Sequence, residues 1–241
     1  MIEARRLRAE RQRVVEPGSA EALQQLLSNQ VLVEWQPSTD AMPQRQQLAF
    51  SHNILFDFAA SQLFLPSESA DLVRLLAADP DLVLMLRPSI VVRYQHLWET
   101  NREGFWALLF TSCADPLVSP VGKVIGAAVL AESGRTLQDF DPLVKSLRSS
   151  STPEHAAAET AFRHLVGALT AGPIAAFAGA AAGPYCELLR VVTQTPNEFL
   201  AGYSATLLRA ILDHQPSLTP DQFSTAGEAA RNLLSFAWSH Q

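Results

Sequence analysis

The chain has 241 residues, 48% of them apolar and 17% charged, with a net charge of −6. That length suits one large domain or a small domain joined to a larger one, and the apolar share excludes an intrinsically disordered chain. The acidic balance excludes non-specific binding along a nucleic-acid backbone, and the low charge content implies surface that packs against something.

The start, MIEARRLRAERQR, is followed by no apolar run of signal-peptide length, so no signal peptide is expected. Arg5, Arg6, Arg8, Arg11 and Arg13 are partly offset by Glu3, Glu10 and Glu16. They read as a solvated first helix, with a contact to RNA, DNA or a membrane as the rival. Residues 19–29 predict a short helix with Ser19 as N-cap and Leu23, Leu26 and Leu27 on one face. Residues 31–35 alternate as a strand, a polar loop with two prolines covers 37–46, and residues 47–50 return as a second strand. Helix, strand, loop and strand together resemble the back half of a winged helix.

From residue 51 the signals are helical. Ile54, Leu55, Phe58, Ala59 and Leu63 form an i, i+3/i+4 stripe, and Ser67 can cap a helix to about residue 78. Pro88 divides or kinks the apolar stretch 82–98. Short helices follow at 104–113, 121–132 and 139–149. Residues 165–186 are uncharged, but Ala, Gly, Pro173 and Pro184 dominate them, which favours close packing of small-residue helices over a membrane span. Gly179 and Gly183 form a GxxxG pair of the same meaning. Thr152-Pro153, Thr195-Pro196 and Thr219-Pro220 mark three helix starts, and Glu198 and Gln222 complete two capping boxes. Helices joined by short turns imply antiparallel neighbours. The separation of Thr152 from Thr195 is HEAT- or armadillo-like, with an irregular bundle as the rival.

No catalytic pattern is complete. Gly122-Lys123 lacks the earlier glycine (Leu117) and the following hydroxyl (Val124) of a phosphate-binding loop. Gly202-Tyr203-Ser204 lacks the second glycine of a nucleophile elbow, where Thr206 stands. The six histidines show no metal-ligand spacing, and His52 and Asp57 sit roughly 140° apart on a helix, so they form no dyad. Cys113 and Cys186 are far apart, with no CxxC, which suits a reducing cytoplasm. No metal, catalytic residue or enzymatic activity is expected of this chain.

One segment carries a more specific pattern. Leu48-Ala49-Phe50-Ser51-His52-Asn53-Ile54-Leu55-Phe56-Asp57-Phe58-Ala59 resembles the end of the winged-helix domain in the STAND class of signalling ATPases, which includes innate-immune receptors and bacterial defence ATPases. In that class a strand ends in an aromatic residue, a histidine opens the next helix, and an aliphatic–aliphatic–x–Asp–aromatic–Ala run follows. His52, Asp57 and Ala59 take those places, while Asn53 replaces the commoner acidic residue. The resemblance covers about residues 19–66 and implies that His52, with Asn53 beside it, senses the diphosphate of ADP held by another domain. Asp57 supports the motif. An imidazole at a helix N-terminus suits that task.

The expectation is a mainly α chain: a truncated winged-helix unit at 1–50 and a helical arm at 51–241. It would serve as a non-catalytic regulatory or interaction region whose ATPase domain lies outside this chain. Alone it carries no cofactor; ADP or ATP enters only with that domain. Its partner is a protein, with no membrane and no strong nucleic-acid binding. A stand-alone helical scaffold is the alternative. A winged-helix DNA regulator is disfavoured, because residues 20–29 hold Glu21 and no Lys or Arg.

Overall fold

The computed structural model describes residues 2, 7–11, 15, 18–35, 47–171, 177, 179–213 and 217–239. It is mainly helical, with one small antiparallel sheet, and the chain divides into two compact units. The first comprises Met1–Pro66 and Asp81–Arg93, and the second Ser67–Pro80 and Tyr94–Gln241.

In the first unit, β3 (Gln47–Phe50) is the central strand, flanked by β1 (Arg8–Glu10) and β2 (Leu32–Trp35). Ala49 pairs with Arg8 on one side and Val33 on the other. Its small side chain leaves room for the Arg8 guanidinium to lie 4.0 Å from the Trp35 ring centroid, a cation–π contact. Leu48 points to the opposite face and is buried. The two expected strands are therefore present, but the reading of the arginine-rich start as a helix fails at Arg8–Glu10. There β3 has an open edge, and strand pairing satisfies the backbone. Arg5, Arg6 and Arg13, and the whole loop expected at 37–46, lie outside the described residues.

Helix α1 (Ala20–Ser28) follows Ser19, whose carbonyl accepts from the Leu23 N–H, and buries Leu23. Helix α2 (Asn53–Ala59) runs into a π-helical turn, Ala60–Phe64, closed by the Leu65 N–H to Ala60 carbonyl bond at 2.9 Å. Phe56 and Ala60 form its buried face. The stripe read from the sequence chose the wrong face: Ile54, Phe58 and Leu63 are exposed.

In the second unit, α3 (Ser69–Ala78) takes Glu68 rather than Ser67 as its N-cap residue, the Glu68 carbonyl accepting from Leu72. Helix α4 (Pro80–Thr100) passes through Pro88 unbroken and contributes residues to both units. Pro88 and Leu84 are both exposed, so the carbonyl that the proline leaves without a donor can be met by water. Helices α5 (Arg102–Ala114) and α6 (Pro120–Ser133) are capped by the Asn101 and Ser119 side chains, which accept from the Gly104 and Gly122 N–H groups. A 3-10 turn (Leu137–Phe140) leads into α7 (Asp141–Leu147). Helix α8 (Thr152–Ala171) packs against α5, α6 and α7, while α9 (Gly183–Val192), α10 (Glu198–Leu212) and α11 (Pro220–Ser239) pack against one another.

The proline-marked starts fare unevenly. Thr219 and Gln222 form the expected capping box, with the Thr219 N–H donating to Gln222 Oε1 at 2.9 Å. Thr195 does not cap α10. Asn197 does, its Oδ1 accepting from the Leu200 N–H at 2.8 Å, because an asparagine two residues on offers a stronger cap. Helix α8 begins at Thr152 itself, with the Ser151 carbonyl accepting from His155. Among the described residues no helix is long and apolar enough to cross a membrane.

Close helix approach in the second unit depends on Gly126. A Cβ there would stand 2.6 Å from Cε1 of Tyr94, a fully buried ring that packs edge-on against Phe105. Gly126→Ala should therefore destabilise the protein by ~1–3 kcal/mol despite its better helix propensity. A urea-unfolding midpoint equal to or above that of the parent protein would refute this.

Candidate functional site

The segment that resembles a signalling motif lies in the first unit, where β3 hands over to α2. Ser51 fixes the handover: its N–H donates to the Val31 carbonyl at 3.0 Å and its hydroxyl to the carbonyl of Gln30. Gln30 adopts φ 56°, the left-handed conformation that turns the chain from α1 into β2. Phe50 and Phe56 then meet edge to face, with ring centroids 5.7 Å apart, and set the first turn of α2 against the sheet.

His52 occupies the N-cap position in extended conformation, φ −136° and ψ 142°. Its carbonyl accepts from Leu55 and Phe56, whereas its side chain makes no capping bond and is exposed. Asn53, also exposed, is the first helical residue. The ring therefore follows a strand pair and is not sealed in apolar packing.

Asp57 has a different task. Its carboxylate accepts from Ser89 Oγ at 3.0 Å, and Ser89 is fully buried. Asp57 is thus a positioning residue that ties α2 to the Asp81–Arg93 part of α4 within the same unit. This link spans 32 residues and has no local sequence signature.

On the sheet side of α2 lies a concave groove of about 500 Å³, bounded by α1, β2, β3, α2, the π turn, and Ile2 and Val15 of the N-terminal segment. Leu23, Leu48 and Phe56 form its floor, and Leu26, Leu63 and Phe64 lie at its exposed edge. Among the described residues the only polar side chain on its wall is Ser19. The sequence reading missed this groove, since its floor joins three elements that no single periodicity connects.

The sequence motifs and thiols considered in the second unit are buried or already occupied. Cys113 and Cys186 are buried free thiols, pushed by desolvation up to about 12 and about 11, far from the thiolate form. Ser204 lies fully buried on α10. Gly122 and Lys123 form the capped first turn of α6, the Gly122 N–H being taken by Ser119 Oγ, so no open phosphate cradle exists there. Among the described residues no three His, Cys, Asp or Glu side chains are grouped to hold a metal. No family model, curated protein or solved structure matches the chain.

Two outcomes follow from these placements. Asp57→Ala leaves the Ser89 hydroxyl buried without its acceptor and should cost ~1–3 kcal/mol. Ser89→Ala in addition should restore part of that loss, and full additivity in the double-mutant cycle would count against the link. His164 is drawn down to about 4, by desolvation first and then by Arg163 and Lys123. Its folded form therefore favours the neutral ring. Stability is whole above the ordinary histidine value of 6.5 and is lost as pH falls from there towards 4. Denaturant midpoints measured across that interval should fall in the parent protein and flatten in His164→Gln.

Proposed function

We propose that the chain is a non-catalytic regulatory and interaction module of the STAND-like kind. Its first unit would be the end of a winged helix, and its second unit a helical arm that receives or passes on a signal. The observation that carries this reading is the His52 imidazole, exposed at the start of α2 immediately after a strand pair. That is the placement a side chain needs to donate to a phosphate brought by another domain. The nucleotide and the machinery that hydrolyses it belong to that domain, and the working compartment is the cytoplasm.

A second reading, a helical scaffold with no nucleotide link, draws on a separate observation. Ile54 and Phe58 lie exposed on α2, opposite the buried Phe56 and Ala60. A helix apolar on both faces is ordinarily covered on both, which favours a protein partner whether or not a nucleotide is involved.

Calorimetry separates the two. The isolated chain should bind magnesium ADP no tighter than millimolar. Joined to its ATPase domain, the parent protein should retain ADP longer than His52→Ala by about tenfold or more, the worth of one charge-assisted hydrogen bond. Micromolar ADP affinity of the isolated chain, or indifference of the joined protein to His52→Ala, removes the nucleotide reading and leaves the scaffold.

A further inference from the structure

We propose that the groove beside α1 is a binding site for an uncharged, apolar small molecule. Its floor is held in place by the fold: Leu23, Leu48 and Phe56 are each 7% exposed or less, so the concavity stands before any ligand arrives. Its volume, about 500 Å³, falls among small-molecule pockets, which span roughly 300–1,000 Å³. The described wall offers a charged ligand no partner, and burial of an unpaired charge is strongly disfavoured.

The π turn is the independent sign of use. Such turns are rare and concentrate at functional positions. Here the turn places Leu63 and Phe64 at the lip of the groove, Leu63 being 86% exposed. An aliphatic side chain held that far into water beside an apolar trough gains from a molecule that covers it. A docked helix or a second copy of the chain would bring polar flanks that need a polar rim. Among the described residues Ser19 is the only polar side chain on the wall, which does not make one. The site does not involve His52, so it can fail without touching the phosphate reading, and the reverse also holds.

The test uses N-phenyl-1-naphthylamine, an uncharged fluorophore, titrated into the purified chain. Its fluorescence should rise to saturation at one site and be displaced by 1-decanol, with decanoate weaker by about tenfold or more. Ala59→Phe, which fills the groove, and Leu63→Glu, which charges its lip, should each weaken probe binding by about tenfold or more while the circular dichroism is unchanged. Leu234→Glu, on the exposed face of α11, should leave it unaltered. The site is refuted by an absence of saturable binding, by equal competition from decanoate and decanol, by insensitivity to both groove variants, or by an equal loss in Leu234→Glu. Sedimentation supplies the remaining outcome: self-association of the parent chain that Leu63→Glu abolishes assigns the groove to a second copy and overturns the proposal.

Discussion

The seating of α2 on the three-stranded sheet governs everything of functional interest in the first unit. Phe56 packs on Phe50 on the sheet side, while Asp57 reaches Ser89. Adjacent helical positions point roughly 100° apart, so these two anchors fix the rotation of the helix as well as its position. Once the rotation is fixed, His52 is directed outward and the π turn must follow the groove. A change in either anchor would move all of these together.

The second unit treats polar chemistry in the opposite manner. His164, Cys113, Cys186, Tyr94 and Tyr185 are drawn into helix packing, where desolvation favours the neutral form of each. Tyr185 shows how this is made tolerable: its hydroxyl donates to the Ala131 carbonyl at 2.6 Å, and its ring packs against Phe140 and Phe177. The aromatic cluster of Tyr94, Trp98, Phe105 and Trp106 is likewise closed edge to face, with no room for a substrate between rings 4.9–5.7 Å apart. These are marks of a structural core.

What the sequence made legible was local. The period-2 pattern of the two strands at 31–35 and 47–50 and the Thr219–Gln222 capping box depend on neighbours within a few positions, and both are present. The losses came wherever a distant partner decided the outcome. Arg8–Glu10 is a strand because β3 has an edge to fill, a fact absent from the arginine-rich segment itself. The α2 stripe was assigned to the wrong face because that helix carries large apolar residues on two faces, and periodicity cannot choose between them. Asp57 was placed correctly in its motif, but the buried hydroxyl it serves lies 32 residues away. The groove needed α1, β3 and α2 assembled before it existed at all.

The ambiguity in α2 is itself informative. Most of the large apolar side chains exposed among the described residues belong to the first unit, and Ile54, Phe58, Leu63 and Phe64 come from α2 and its π turn. A short helix that buries one apolar face has met its own folding requirement, so a second apolar face adds little to the stability of the isolated chain and lowers its solubility. Beside it the exposed imidazole of His52 is the sole titratable side chain of the first helical turn and its cap, which puts a polar group at the end of an exposed apolar face. An apolar area supplies binding energy without direction, and a single polar group at its end supplies register. An exposed apolar face and an exposed polar group thus share one helix, both held in place by the Phe50–Phe56 and Asp57–Ser89 contacts.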